Sequence, residues 1–271
     1  MTAQIRLLFD IGNTTIKTGL ADPERLLASY TLPARHAETG DSLGLKLAEI
    51  CRHAGVSPDA VTGCLACSVA PALDGVLAQA CARFFGQQLR FAPVDVPIPL
   101  DNRYGRPQEV GADRLVAAYA ARRLHEAPSL VVVDYGTATT FECVQENAYL
   151  GGLICPGLLS SAAALATRTA KLPQVRLDFP GEELQIGRST GESLEQGLLF
   201  GFAAMAEGLV RQLKSLLQAR AAANGIAPGI TVVATGGLVA PISRLCACFD
   251  SIRGDLLLEG LRLLYAESGL P

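Results

Sequence analysis

The sequence predicts an α/β fold made of two similar α/β halves with a cleft between them, and three stretches carry that prediction. Residues 5–20, IRLLFDIGNTTIKTGL, read as a buried strand that stops at Asp10, turns through Gly12 and Asn13, and returns as a second strand of alternating apolar residues. Residues 130–144, LVVVDYGTATTFECV, repeat the plan: Asp134 falls where Asp10 does, Gly136 where Gly12 does, and Thr137, Thr139 and Thr140 follow. A repeat at half the chain length predicts two halves that each present an acidic hairpin to a shared cleft. The third stretch is a glycine turn, VVATGGLVAPI at 232–242, which ends another strand and predicts a helix start whose backbone N–H groups meet part of a nucleotide.

The residue types in the first hairpin point to a phosphate site. The apolar run Leu7, Leu8, Phe9 is too short for a buried helix and ends at a turn. Gly12 permits a positive φ and leaves backbone N–H groups uncovered. Asn13, Thr14 and Thr15 add short polar groups beside them, and Lys17 adds a cation. Together they predict a cradle for a phosphate chain, with Asp10 facing its metal ion. An ordinary hairpin is the competing reading of D-x-G-N alone, and the second copy weighs against it.

Composition narrows the classes further. At 271 residues the chain is long enough for two packed halves, and its hydrophobic content of 49% suits a compact α/β protein. A net charge of −3 gives no reason to expect a nucleic-acid surface. The N-terminus enters a strand without a basic and apolar leader, and no apolar run reaches the roughly 18 residues a bilayer span needs, so a cytoplasmic protein without membrane contact is expected. The eight cysteines, at 51, 64, 67, 81, 143, 155, 246 and 248, sit mostly in apolar segments, as reduced thiols packed like small hydrophobes do. Cys64-x-x-Cys67 is the one suggestive spacing, but no second pair or histidine stands near it to complete a zinc site. His36, His53 and His125 lack ligand spacing and are expected at the surface.

Taken in order, the first hairpin is followed by a return strand at 26–32 and a polar loop through His36. A helix capped by Ser42, with Leu43, Leu47 and Ile50 on its apolar face, runs to Gly55. A strand at 61–69, an amphipathic helix at 73–85 ending at Gly86 and a short strand at 89–91 complete the half. From Asp101 a polar loop gives way to an alanine-rich helix starting at Gly111 or Ala112, which puts Asp113 in its first turn, where the helix dipole favours a carboxylate. Arg114 beside it is an odd sign for a first turn unless it serves a ligand, whereas the plain reading is a helix-start Asp with a surface Arg. After the second hairpin, Gly151, Gly152 and Pro156-Gly157 read as a turn-rich entry into a helix at 158–169. Ser189 and Glu192 form a capping-box pattern ahead of the longest helix, whose expected apolar stripe is Leu194, Leu198, Phe202, Met205, Leu209, Leu213 and Leu216. Asn224 and Gly225 end it, a strand follows at 230–234, and a leucine-rich helix at 255–265 closes the chain. The halves are expected to divide at 125/126.

Paired strand-Asp-Gly-Thr hairpins with a late strand-Gly-Gly turn resemble the nucleotide-binding plan of the actin, Hsp70 and sugar kinase superfamily, which has a ribonuclease H-like fold. Within it the chain resembles the type III pantothenate kinases over nearly its whole length. The resemblance rests on DIGNTTIK at 10–17, the run from Tyr104 through Pro107 to GADR at 111–114, VVDYGTATTF at 132–141, GGLICPG at 151–157, TAKLP at 169–173 and IGRST at 186–190. The resemblance implies phosphorylation of pantothenate by ATP at the entry to coenzyme A synthesis. It implies that Asp10, Ile11, Gly12, Asn13, Thr14, Thr15, Ile16 and Lys17 hold the ATP phosphates, with Asp10 near Mg²⁺, and that Thr137 contacts ATP. Tyr104, Gly111, Ala112, Asp113, Arg114 and Thr190 would hold pantothenate, with Asp113 taking the proton of its hydroxyl. Asp134 would bind a monovalent cation, K⁺ or NH₄⁺, and a homodimer would complete the acceptor site at Thr190. Tyr135 stands where the family has Phe, and Lys17 occupies a position that varies.

Phosphoryl transfer asks a protein mainly to position two reactants and to neutralise the charge spread over the transferred group. Two acidic hairpins and a carboxylate beside an arginine suit that task. Two other classes share part of the pattern. Another small-molecule kinase of the superfamily would have the hairpins without the GADR segment, and a non-catalytic accessory factor for transcription would not need Asp10, Asp113 and Asp134 intact.

Overall fold

A computed structural model describes residues 4–35, 37–169, 171–174, 177 and 181–270. His36 of the expected polar loop and Ala170 of the TAKLP segment lie outside the described residues. The chain divides into two compact units: the first runs through Leu100 and includes Gly105–Ala120 and the segment from Asp255 onward, and the second comprises Asp101–Tyr104 and Ala121–Gly254.

The first unit is built on β1 (Ile5–Ile11), β2 (Thr15–Ala21) and β3 (Leu26–Pro33), an antiparallel meander. Helix α1 (Gly40–His53) leads to β4 (Val61–Ser68), and α2 (Pro71–Phe85) leads to β5 (Leu89–Ala92). Strands β4 and β5 join in parallel, giving the order β3-β2-β1-β4-β5. The cap of α1 is Thr39 and not Ser42: the Ser42 N–H donates to Thr39 Oγ1 at 3.2 Å, so the helix begins one turn before the expected residue. Pro71 opens α2, where its missing N–H costs nothing, and Gly86 closes it in the left-handed region with φ 64°. Leu7, Phe9 and Ile11 of β1 pack with Leu43 and Leu47 of α1 and with Leu73 and Leu77 of α2 in one core. Burying each such side chain is worth roughly 1.5–3 kcal/mol, which fixes the end of β1 firmly.

The linking segment carries a two-residue strand, β6 (Asp101–Asn102), and α3 (Ala112–Leu124). The second unit then repeats the meander as β7 (Ser129–Tyr135), β8 (Ala138–Gln145) and β9 (Ala148–Pro156). Strand β9 corrects the expected turn-rich entry. Gly151 and Gly152 lie inside it, because a side chain at Gly152 would collide with the Phe141 carbonyl of the paired strand and Gly151 has φ +112° beside a register shift. Helices α4 (Leu158–Arg168) and α5 (Thr190–Asn224) precede β10 (Ile230–Thr235). A single turn, α6 (Val239–Ile242), then leads to β11 (Ser251–Ile252) and α7 (Leu256–Glu267). The sheet order is β11-β10-β7-β8-β9-β6, and its central strands repeat the directions of the first sheet. Although α7 follows the second sheet in sequence, it packs on β1, β2 and β4 of the first unit.

The buried seam of α5 also differs from the expected stripe. Gln196, Leu199, Ala203, Ala206, Val210, Leu213, Leu217 and Ala221 are buried, at spacings of three and four residues. Leu198 and Leu213 are buried as expected, whereas Leu194, Phe202, Met205 and Leu209 are half-buried and Leu216 is 66% exposed. Ala203 and Ala206 share one core with Leu199, Val210, Leu213 and Leu217, while Phe200, Phe202 and Leu209 pack against its edge. Among the described residues no helix is long and apolar enough to cross a membrane.

Candidate active site

In the first unit Asp10 sits one residue before the end of β1, half-buried, with Lys17 opposite it in register on β2. The turn between Ile11 and Ile16 is closed by the Gly12 N–H donating to the Thr15 carbonyl at 2.9 Å, and Asn13 and Thr14 stand exposed at its tip. Ile11 and Ile16 are core residues, at 0% and 2% exposure, so only their backbone is available to a ligand. The Cys67 thiol, from the neighbouring strand β4, donates to Asp10 Oδ1 at 3.7 Å. That thiol is pushed well up, first by burial and then by the negative charges of Asp10 and Asp113. The two carboxylates therefore both lie within electrostatic reach of one buried sulfur.

Asp113 is the second residue of α3, and its position depends on the glycine two residues before it. A side chain at Gly111 would place its Cβ 2.5 Å from Asp113 Oδ1 and 3.5 Å from Val69 of the first sheet. The carboxylate thus occupies the space a side chain would fill, and Oδ1 accepts the Arg114 backbone N–H at 2.8 Å. Burial pushes the Asp113 carboxyl above its ordinary value, opposed by that hydrogen bond and by the Arg114 guanidinium. Arg114 is 9% exposed, which does not fit the plain reading of it as a surface residue. Ala112, the first residue of α3, is half-buried.

In the second unit Asp134 takes the position on β7 that Asp10 takes on β1, with Thr140 opposite. Its turn is one residue shorter, closed by the Gly136 N–H donating to the Ala138 carbonyl at 3.0 Å. The third glycine turn meets this hairpin: a Cβ at Gly236, where φ is +102°, would lie 2.5 Å from both Asp134 Oδ1 and the Tyr135 carbonyl oxygen. Thr137 is exposed, and its carbonyl accepts the Ser160 hydroxyl at 2.7 Å. The helix expected after the glycine turn is only the four residues of α6, too short to offer a developed dipole.

Tyr104 packs over the positive-φ Gly151, 3.1 Å from where its Cβ would be, and against Tyr149 with ring centroids 6.4 Å apart. Tyr149 in turn donates its hydroxyl to the buried Glu142 at 2.7 Å. Thr190 is exposed at the first position of α5, whose cap Ser189 accepts the Glu192 N–H at 3.2 Å. The return bond of a capping box is displaced by one residue, since Glu192 Oε2 accepts from the Arg188 N–H at 2.7 Å.

Asp10, Lys17, Gly111, Asp113 and Arg114 thus belong to the first unit, and Tyr104, Asp134, Thr137 and Thr190 to the second. Sequence reasoning missed Cys67, because it was weighed only with Cys64 as a metal pair. It also missed the Tyr135 carbonyl, since backbone oxygens carry no signal in sequence. Among the described residues no group of three or more histidine, cysteine and acidic side chains is placed to hold a metal ion by itself. A cation here would need oxygens from the backbone or from a phosphate.

Residues 6–212 match the model of the type III pantothenate kinase family. A type III pantothenate kinase of Oleidesulfovibrio alaskensis is 57% identical over 265 residues, 97% of each chain. One from Lawsonia intracellularis is 46% identical over 265 residues, 96% of this chain and 95% of the relative, and one from Dehalococcoides mccartyi is 35% identical over 257 residues, 94% and 95%. Among solved structures, a Campylobacter jejuni protein assigned as a candidate Baf family transcriptional activator matches with TM-score 0.53 at 20% identity, covering 96% of this chain and 98% of that one. The ethanolamine utilization protein EutJ from Carboxydothermus hydrogenoformans matches with TM-score 0.50 at 15% identity, covering 97% and 91%. These structural likenesses concern the fold alone, two sheets with the strand orders given above.

Proposed function

We infer how this chain works from one premise: it belongs to the type III pantothenate kinase family. Its reaction is the ATP-dependent phosphorylation of pantothenate to 4′-phosphopantothenate, the first step of coenzyme A synthesis, and it requires a divalent metal ion with the nucleotide.

The roles of individual residues rest chiefly on the thiol of Cys67, which feels both Asp10 and Asp113. In-line phosphoryl transfer brings the carboxylate at the nucleotide's metal ion and the acceptor carboxylate to one reacting centre, and the shared effect of Asp10 and Asp113 on the Cys67 thiol supports these two for those roles. In this reading the Gly12 turn with Asn13, Thr14 and Thr15 holds the phosphates through backbone N–H and hydroxyl groups, and Asp10 faces the divalent ion, taken to be Mg²⁺. One half-buried carboxylate suits that ion, which is commonly held by one or two carboxylates together with substrate phosphates and supplies charge neutralisation when bound. Asp113 takes the proton of the pantothenate hydroxyl. Burial raises its proton affinity towards the working pH, which strengthens it as a base. Arg114 has two tasks: its guanidinium favours the ionised form of Asp113, and it is the cation beside that residue for the pantothenate carboxylate.

Asp134 is the proposed monovalent cation ligand. What supports it is the space left by Gly236, lined by Asp134 Oδ1 and the Tyr135 carbonyl, an oxygen set that suits a hard cation such as K⁺ or NH₄⁺ and that a side chain would fill. Thr137 contacts ATP, while Tyr104 and Thr190 contact pantothenate, Thr190 as part of a homodimer. The homodimer is supported by Gly197, Gly201 and Gly208 of α5, where nothing lies within 4 Å of an added Cβ. Each interior helix glycine costs about 1 kcal/mol relative to alanine, a cost that close approach by a second copy would offset.

The test is conversion by the purified chain of pantothenate and Mg-ATP, in potassium buffer, to 4′-phosphopantothenate and ADP in equal amounts. ADP formed without phosphopantothenate would make the chain an ATPase or a kinase of another acceptor. No turnover of either substrate would reject the reading altogether.

A further inference from the structure

We propose that Cys246 and Cys248 are a thiol–disulfide exchange site, which small-molecule disulfides convert to a reversible intrachain disulfide, and that its closure acts on the Asp134 turn. The two residues lie between α6 and β11, and both are free cysteines. Their sulfurs are 2.9 Å apart, within about an ångström of bonding distance. Cys248 is half-buried and so open to a reagent, and Cys246 lies just beneath at 5% exposure.

Among the other cysteines Cys64 and Cys81 also share a thiol contact, but both are sealed in the core and closed to a reagent. Cys51, Cys64, Cys67 and Cys81 are at most 1% exposed in the core of the first unit, and Cys143 and Cys155 face Gly151 and Thr139 across their strands.

The surroundings of the pair supply a second observation. Tyr135 is 1% exposed, and its hydroxyl is buried without a hydrogen-bond partner. A buried donor left unpaired costs about 1–3 kcal/mol, so the packing around this ring is easily disturbed. The Cys246 thiol is itself pulled down by the hydrogen bond from Cys248. Glu207 Oε1 accepts the Ala247 N–H at 3.2 Å and holds the intervening residue, while the Phe249 ring meets Tyr135 edge-on at 6.2 Å.

The chemistry balances without any further reagent. One protein thiolate attacks a disulfide R–S–S–R, breaking that bond and releasing one thiolate R–S⁻. The second protein thiolate then attacks the resulting mixed disulfide and releases the other. The two protein protons leave with the two R–SH molecules, the protein pair is oxidised, and the small disulfide is reduced. Because Tyr135 lies between Asp134 and Gly136, and its carbonyl shares the Gly236 space with Asp134, closing the pair shifts the residue next to the proposed cation ligand. This second half of the proposal rests on the kinase reading above.

The test uses the reduced full chain, incubated under native conditions with oxidised glutathione and followed by intact mass and peptide mapping. The wild-type chain is expected to lose the mass of two hydrogens, mapped to the peptide spanning 246–248, with two glutathione thiols released and full reversal by dithiothreitol. Cys246→Ser and Cys248→Ser are each expected to retain one glutathionyl group instead. A wild-type chain that keeps both thiols free, or that carries a stable glutathionyl adduct there, overturns the exchange site. Pantothenate phosphorylation measured in the same samples is expected to fall as the disulfide forms and to recover on reduction. The double variant Cys246→Ser/Cys248→Ser is expected to hold its rate through the same treatment. A disulfide that forms while the rate stays constant overturns the coupling, and a reduced chain with no kinase activity overturns the kinase reading while leaving the mass result to stand.

Discussion

Replacing Gly111 by alanine separates a catalytic carboxylate from a merely structural one. The added Cβ would lie 2.5 Å from Asp113 Oδ1, and real side chains essentially never approach closer than 3.0 Å, so the carboxylate must retreat by at least half an ångström. The atom displaced is the end of a side chain, not backbone, so the protein can yield cheaply. The largest loss is the hydrogen bond from the Arg114 N–H, worth about 1.5–3 kcal/mol when the acceptor is charged. Part of that is returned because alanine entropically favours the folded chain over glycine by about 0.4–1 kcal/mol where its conformation is allowed. No positive φ at Gly111 stands in the way. Catalysis is less forgiving, since a displacement near 1 Å can cost on the order of 10²-fold. Gly111→Ala is therefore expected to remain folded, to bind ATP as the wild type does, and to lose roughly 10- to 100-fold in kcat. Steady-state kinetics beside a thermal melt read both quantities. A well-folded variant with half or more of the wild-type kcat would refute the argument that Asp113 needs this placement.

Three further outcomes follow from the same geometry. Because burial raises the Asp113 carboxyl and the base must be ionised to work, kcat/KM is expected to fall on acidification at a pH above the ordinary aspartate value of about 3.9, and an acid limb at that ordinary value would count against it. Potassium is expected to stimulate the reaction more than sodium, through Asp134 and the Gly236 space; equal rates in potassium, sodium and a bulky organic cation would remove the monovalent site. Sedimentation is expected to show a dimer, and a fully active 28.4 kDa monomer would leave the α5 glycines unexplained.

The hairpins were readable because one local rule, a buried strand ending at Asp-x-Gly, acts within a few residues and occurs twice. Sequence spacing also located Asp113 in the first turn of α3, and the αL closures at Gly86 and Gly225 marked two helix ends. What escaped depends on contacts far apart in sequence. Strand β9 was hidden because Gly151 and Gly152 signal a turn locally, yet they are required by Tyr104 on one side and by the Phe141 carbonyl on the other. The seam of α5 was misplaced in part because the small residues Ala203 and Ala206 are among its buried positions, while the hydrophobic scale favours Phe202, Met205 and Leu216, which are not. Nothing local indicated that α7 would lie on the first unit, or that the Cys67 thiol would meet Asp10.

Asp113→Asn tests the central claim most directly, because it keeps the shape and removes only the proton acceptor. The folded-state pKa of Asp113 is raised, so its contribution to stability is full below the unfolded value and is lost as pH rises through the raised one. An uncharged amide escapes that loss, and the variant is expected to melt at neutral pH no lower than the wild type. With folding intact, kcat for pantothenate phosphorylation is expected to fall by roughly 10²- to 10⁴-fold while ATP binding changes little. A folded Asp113→Asn protein that keeps more than about a third of the wild-type kcat would contradict the account, and Asp113 would then be only the residue that starts α3.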